Sequence, residues 1–477
     1  MSDVAIIGAG PGGLAAARWL KARGFVPTLY DSHDDVGGQW NTSNPLSGVW
    51  PQMRTNTFIA TTQFSDLDYA DGTAVFPRNR EVLEYLRAYA RKFGLLEGAQ
   101  FGTALTALAR EGEGYRLSFD GPGGPFSRSV SKVVVATGRY NRPTIPDVPG
   151  LDGFTGRLGV AHAHRYKDPE VYRGARVVVA GGSISALEIA SDLSMLGARS
   201  VHLAQRRQRY VMPKMIRGVP FEYYGFTYGA AAAPATDKER ARAGMLEFAL
   251  SHGGDPARYG APAPHPDVLQ AGFTGSQHYL NLVAEDRLTP VPWFDRVDGQ
   301  TITFGDGRQV EADAILFGTG FDLNLPFLSQ DIADTLEIDR KGLTLSEFTL
   351  HPDLPGLGFM GLWSQNGGYL SVLELQARFL AYSWAGLLDR TEGDLRHGLE
   401  ACRTEMHHAG YQEQHEMALR FARLGGFDPQ GQVDEAMMDK VRRSATTPLI
   451  YRLAGPDALP DAGARVEAIL DRYGPDA

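Results

Sequence analysis

VAIIGAGPGGLAAARWLKARGFVPTLYD, Val4 to Asp31, is the stretch whose reading decides the fold. Val4 to Ile7 is a short apolar run of strand type. Leu14 to Lys21 is made of good helix formers, and a second apolar run ends at Asp31. The stretch therefore predicts a βαβ unit. Between its strand and helix, Gly8, Gly10 and Gly13 stand in the order Gly-x-Gly-x-x-Gly, with Pro11 and Gly12 inside the turn. Gly8 permits the tight turn, Gly10 lets backbone approach a pyrophosphate at the positive end of the helix, and Gly13 lets helix and strand pack closely. Asp31, about 20 residues further on, stands where an acid accepts ribose hydroxyls. A glycine triplet alone also fits an ordinary strand-to-helix turn. With strand, helix and distal acid all present, the run is expected to hold the adenosine half of a dinucleotide.

Outward from this run, Val82, Leu86, Tyr89 and Phe93 recur at helical spacing and predict an amphipathic packing helix. Tyr115 to Phe119 and Lys132 to Ala136 read as strands around the loop GPGGP, the second ending in Ala136, Thr137 and Gly138. The proline-rich residues 141–150, NRPTIPDVPG, read as a linker. A second βαβ signal begins at Val177, with Gly181, Ser183 and Ala186 at the motif positions, Glu188 in the helix and a new strand at Ser200 to Leu203. Serine at the close-approach position adds bulk and also a hydroxyl able to bond phosphate. After that strand come Arg206, Arg207 and Arg209, where an NAD site would place an acid. Guanidinium groups suit the 2′-phosphate of NADPH; an arginine-rich solvated face is the plainer alternative. Residues 218–290 are rich in Ala, Gly, Pro and aromatics and read as an insertion with some helix. ADAILFGTGF, Ala312 to Phe321, is similar to the earlier VVVATGRY and suggests a return to the first domain. Beyond Tyr369 the pattern is mostly helical.

The expected fold is α/β, with two Rossmann-like dinucleotide-binding domains, the second inserted into the first, and a helical C-terminal extension. The boundaries read from the sequence are 1–150, 151–310 and 311–477. The chain of 477 residues carries 56 acidic against 47 basic side chains, which gives no sign of a nucleic-acid-binding face. Its single cysteine, Cys402, excludes an internal disulfide, Cys-x-x-Cys redox chemistry and cysteine-rich zinc sites, and no metal site is expected. No basic leader precedes Val4 and no apolar run approaches the roughly 20 residues of a membrane span, so a cytoplasmic location without membrane contact is expected.

Several segments together resemble the flavin-containing monooxygenases over most of the chain. They are GAGPGG at Gly8 to Gly13, GGQW at Gly37 to Trp40, RTNT at Arg54 to Thr57, VVVATGRYNRP at Val133 to Pro143 and FTGRLGVAHAHRY at Phe154 to Tyr166. AGGSISALEIA at Ala180 to Ala190, FGTGF at Phe317 to Phe321 and ELQAR at Glu374 to Arg378 complete the set. The family signature runs Phe-x-Gly, three residues, His, three residues, aromatic. Phe154, Gly156, His162 and Tyr166 supply its members, but two additional residues separate Gly156 from His162. The resemblance implies FAD in the first domain and NADPH in the second. It places Gly38, Gln39, Trp40, Thr137, Gly138, Gly320 and Gln376 at FAD, and Gly181, Ser183, Ser185, Arg206 and Arg207 at NADPH.

The resemblance also implies a reaction. NADPH reduces FAD, oxygen adds at the flavin C4a carbon, and the hydroperoxide passes one oxygen atom to a soft nucleophile such as an amine or sulfide. The cofactor carries this chemistry, so no protein nucleophile is required. Asn56 is the implied side chain at the flavin, because an uncharged amide donates a hydrogen bond without becoming a proton source. A turn-forming asparagine is the alternative. The partners implied are a small-molecule substrate and molecular oxygen. Two rival activities remain open: Baeyer–Villiger oxygenation of ketones, against which Tyr166 in place of tryptophan argues mildly, and an NADPH oxidase or redox-sensing flavoprotein. The insertion around Phe221 to Tyr228 reads as an apolar access route or as a cover over the second domain. The C-terminal helices, including Tyr411 to Leu424, read as a homodimer face or as a cap on the first domain.

Overall fold

The computed structural model describes residues 3–233, 237–406 and 410–477. Met1 and Ser2, where the sequence shows no basic leader, lie outside them. β1 (Asp3–Ile7) and β2 (Val26–Tyr30) flank α1 (Pro11–Ala22). Val4 to Ile7 are all buried, as parallel strands covered on both faces require. Pro11 starts α1 because its fixed φ and absent N–H suit a first helical position, and the helix stops where Gly24 adopts φ +82°. α2 (Asn79–Lys92) buries Val82, Leu86 and Tyr89 on one face, as their spacing predicts. β3 (Ala104–Glu111), β4 (Gly114–Gly121) and β5 (Gly124–Val130) make an antiparallel meander, and β6 (Lys132–Val135) pairs with β1. The GPGGP segment is thus a tight hairpin turn between β4 and β5, not the whole connection to β6. β5 has no buried residue, so no hydrophobic alternation marks it in the sequence.

β7 (Arg142–Pro143) lies in the proline-rich linker and leads to the second unit. That unit contains β8 (Gly159–His162), β9 (Arg176–Ala180), α3 (Ile184–Met195) and β10 (Ser200–Gln205). Next come the insertion, with α4 (Glu222–Gly225) and α5 (Lys238–His252), then β11 (Thr289–Pro292) and β12 (Ala314–Phe317). The five strands form a parallel sheet in the order β11–β10–β9–β12–β8. The expected return at residue 311 is therefore too early. β12 sits inside the second sheet, and its buried AILF run fits there because it is covered on both faces. The crossing itself is β13 (Phe321–Asp322), which pairs antiparallel with β7, so the outgoing and returning chain are hydrogen-bonded to each other. β14 (Leu357–Phe359) then completes the first sheet in the order β2–β1–β6–β14.

The remainder packs mainly on the first unit. β15 (Ser364–Asn366) precedes α6 (Tyr369–Trp384), which lies against α1 and is buried from Leu370 to Tyr382. β16 (Tyr411–Glu413) pairs with β15 and leads into α7 (Gln414–Leu424), followed by α8 (Glu435–Arg443) and α9 (Ala462–Tyr473). α7 buries Met417, Ala418, Leu419, Phe421 and Ala422 in the first unit's core and so acts as its cap. The insertion reaches back to the same unit: the Tyr223 and Phe58 rings lie 5.5 Å apart, and Thr227 bridges Ala445. Phe221 to Tyr228 is therefore wedged between the first unit and the C-terminal extension instead of covering the second sheet. Among the described residues, no helix is long and apolar enough to cross a membrane.

Candidate functional site

The first glycine turn is built by close approach. Gly8 has φ +108°, and a Cβ there would lie 2.4 Å from the Ala136 carbonyl oxygen; one on Gly13 would lie 1.9 Å from that of Gly8. Neither position admits a side chain without displacing backbone. Gly10 faces Gly38, and a Cβ on Gly38 would come within 3.0 Å of the Gly10 Cα. Two bare backbones thus form a cradle beside the N-terminus of α1, where unpaired N–H groups and the helix dipole suit a pyrophosphate. A Cβ on Gly12 would meet the Met360 side chain at 3.4 Å. Asp31 accepts the Ala9 N–H at 2.6 Å and the His33 N–H at 2.9 Å, and burial raises its pKa. Each oxygen retains a further lone pair, so the residue ties down the turn while remaining able to accept a ribose hydroxyl.

Several buried polar atoms lack partners among the described residues. Asn56 Oδ1, Thr137 Oγ1 and Asn141 Oδ1 are buried and have no hydrogen-bond partner among the described residues. Buried polar groups are nearly always satisfied, so such orphans fit a polar ligand that completes them. Gly138 and Gly320, each just past a sheet strand, adopt φ +73° and +89° and border open space. Gln39 ties the wall together, donating to Leu46 O and Tyr140 O and accepting the Gly48 N–H at 2.7 Å. Trp40 packs on the core of the first unit. Gln376 requires a correction to its expected place. It is fully buried, and its amide is spent on Phe348 O, Thr349 Oγ1, Phe359 O and the Gly361 N–H. It holds the backbone around β14, and its buried amide is fully engaged there.

The second glycine turn repeats the first with one change. Gly181, at φ +137°, approaches Gly318 O as Gly8 approaches Ala136 O, with a Cβ distance of 2.5 Å. Ser183 is the N-cap of α3, but its hydroxyl makes no capping bond, and Ser185 is exposed in the first turn. Both hydroxyls therefore stand at a helix N-terminus with hydrogen-bonding capacity to spare. The three arginines differ. Arg207 Nη1 donates to Gln270 O at 2.6 Å and Arg209 Nη1 to Phe273 O at 3.3 Å, whereas Arg206 lies over the Trp293 ring at 4.8 Å with no hydrogen bond among the described residues. Trp293 was not legible as a site residue, because it lies far along the chain and carries no motif.

The units meet at contacts that the sequence did not expose. Trp50 Nε1 donates to Asp192 at 2.9 Å, and burial pushes that carboxyl up to about 6. Lys167 donates to Ser47 O and Val49 O, both at 2.6 Å, and burial pulls its ammonium down to about 8. His162 ends β8, accepts the His164 N–H on Nδ1 and lies edge-on to Phe321 at 5.0 Å; burial pulls it down to about 4, so its ring is neutral. The signature histidine is thus part of the junction between units. Tyr166 is buried beside Trp50. Among the described residues, no group of three His, Cys, Asp or Glu gathers to hold a metal.

Comparison with known proteins agrees with this geometry. Dimethylaniline monooxygenase [N-oxide-forming] 2 of Rattus norvegicus is 28% identical over 405 residues, covering 81% of this chain and 74% of the relative. The structure of S-allyl-L-cysteine S-oxygenase from Allium sativum superposes with a TM-score of 0.67 at 22% identity, covering 99% of both chains. An open cyclohexanone monooxygenase superposes with a TM-score of 0.65 at 18% identity, covering 90% of this chain and 98% of the other. The model of the family described as flavin-binding monooxygenase-like matches residues 1–394. On that match, and on two glycine cradles in nested parallel sheets, the chain belongs to the flavin-binding monooxygenase-like family.

Proposed function

We propose that the protein uses NADPH and molecular oxygen, with FAD, to transfer one oxygen atom to a soft nitrogen or sulfur of a small organic substrate. The observation that carries this reading is the buried Asn56 amide oxygen, which, like the Thr137 hydroxyl and the Asn141 amide oxygen, has no partner among the described residues. Bound FAD, reduced by NADPH, supplies the electron and oxygen chemistry. The chain's own residues bind and orient. Gly10, Gly38 and the α1 N-terminus take the FAD pyrophosphate, and Asp31 takes the ribose. Ser183, Ser185 and the α3 N-terminus take the NADPH pyrophosphate, and Arg206 takes the 2′-phosphate. Asn56 presents an amide to the flavin edge, where its oxygen accepts and its NH2 donates without titrating.

Nitrogen and sulfur are favoured as acceptors because the rat relative is named for N-oxide formation and the garlic protein for S-oxygenation. Ketone oxygenation is the second reading, supported by the likeness to cyclohexanone monooxygenase. Asn56→Leu tests the assignment of the flavin edge. FAD content is expected to stay at the wild-type level while hydrogen peroxide replaces oxygenated product. Unchanged coupling of NADPH consumption to product removes Asn56 from the reaction.

A further inference from the structure

Glu222 opens α4 on the insertion of the second unit, yet its side chain serves the first. One carboxyl oxygen accepts the Phe58 N–H at 2.8 Å and lies 3.5 Å from the Thr61 hydroxyl, which donates to the nearer Phe58 O at 3.0 Å. The other oxygen is buried with no partner among the described residues, and the residue is 1% exposed. Burying a carboxyl is costly, and an apolar residue in a connecting segment would avoid that cost. The site explains why it is nonetheless present. Residues 58–62 form a closed turn in which the Thr61 and Thr62 N–H groups bond Phe58 O, while the Thr57 and Thr62 hydroxyls meet at 2.9 Å. The N–H of Phe58 points out of that turn and needs an acceptor.

Upstream, the Thr55 N–H is held by Pro77 O at 2.9 Å. Asn56 and Thr57 are therefore suspended between two backbone anchors, one inside the first unit and one supplied across the interface by Glu222. The flanks of the second anchor are also fixed. Tyr223 packs on Phe58 and donates to Ile469 O, and Phe226 O accepts the Thr446 N–H at 2.9 Å.

We propose that Glu222 is a positioning residue for Asn56: through the Phe58 N–H, the insertion of the second unit sets the backbone that aims the Asn56 amide at the flavin edge. The inference rests on the role given to Asn56 above. Its test compares Glu222→Leu, which removes the acceptor, with Glu222→Gln, which keeps an amide oxygen for the Phe58 N–H. Hydrogen exchange over residues 55–62 and the peroxide share of NADPH consumption are measured on the FAD-loaded proteins. In Glu222→Leu, exchange is expected to quicken about tenfold, the scale of one lost hydrogen bond. Peroxide share is expected to rise about fivefold while anaerobic reduction of FAD by NADPH stays within about twofold, as expected when only the oxygen-handling edge is disturbed. Glu222→Gln is expected to restore both readouts. Unchanged exchange in Glu222→Leu overturns the anchor, and faster exchange with unchanged peroxide overturns its link to Asn56. Loss of coupling in Glu222→Gln equal to that in Glu222→Leu overturns the role of the acceptor. If Asn56→Leu keeps its coupling, the role of Asn56 falls, while the exchange measurement still decides whether Glu222 anchors the segment.

Discussion

Arg206 shows what a residue's neighbours add to its position in the chain. Three arginines after a nucleotide-binding strand raise the possibility of a phosphate, but spacing does not separate them. In the fold, Arg207 and Arg209 each donate to a backbone carbonyl of the insertion, whereas Arg206, over the Trp293 ring, makes no hydrogen bond among the described residues. A guanidinium fixed by stacking loses little entropy when it forms a fork with phosphate. Arg206→Ala is therefore expected to lower kcat/KM for NADPH by about 1.5–3 kcal/mol, the range for bonds to a charged group, and to leave NADH turnover nearly unchanged. Steady-state kinetics with both nucleotides checks this; equal losses would contradict the assignment. Gly8, Gly10 and Gly13 were legible because their tasks are backbone tasks that only glycine performs. Gln376 was misplaced because a family segment marks proximity to a cofactor without saying whether a side chain faces it or supports the backbone beneath.

At the scale of elements, hydrophobic patterning found what is buried and missed what is not. β1, α1, β9 and α3 were legible from apolar runs bounded by glycine, whereas exposed β5 was lost. β12 was assigned to the wrong unit because a fully buried parallel strand looks alike in either sheet. The C-terminal segments hold α6 through a buried charge cluster that no periodicity reveals. Glu374 is fully buried and accepts the Ser65 N–H at 2.6 Å; Arg452 lies 3.7 Å from it and 2.8 Å from Asp66. Burial raises the Glu374 pKa, with the Asp66 charge adding to the rise and Arg452 opposing it. Removing one partner from such a cluster strands the other charge. Arg452→Met is expected to destabilise the protein by about 3–5 kcal/mol, measured by urea unfolding. A loss below about 1 kcal/mol, the level of an exposed pair, would show that the cluster does not hold the extension in place.

Across the whole molecule, the two units are joined by hydrogen-bonded crossings at β7 and β13, by Trp50 and Lys167, and by the insertion at Glu222. The crossings were foreshadowed by the prolines of 141–150. The Glu222 contact was illegible, because nothing local distinguishes that glutamate from a solvated one. Burial pushes its carboxyl from the ordinary 4.5 up to about 7. A raised carboxyl pKa means that the native state holds a proton the unfolded chain releases. Its contribution is present below pH 4.5 and is lost as the pH rises through about 7. Glu222→Gln, which does not ionise, is accordingly expected to gain stability over the wild type between pH 5 and pH 8, by about 3 kcal/mol. Urea unfolding at the two pH values checks the sign, and a difference independent of pH would contradict it.

The central claim is that NADPH and oxygen are consumed together to oxygenate a soft nucleophile. The most direct test is turnover of the FAD-loaded protein under isotopically heavy oxygen gas with NADPH and a small tertiary amine or thioether. NADPH loss, peroxide formation and label in the product are then measured together. The account predicts one labelled oxygen atom in the N- or S-oxide for each NADPH consumed, with little peroxide. Complete conversion of oxygen to peroxide, or label that appears only when a ketone is supplied, would contradict it.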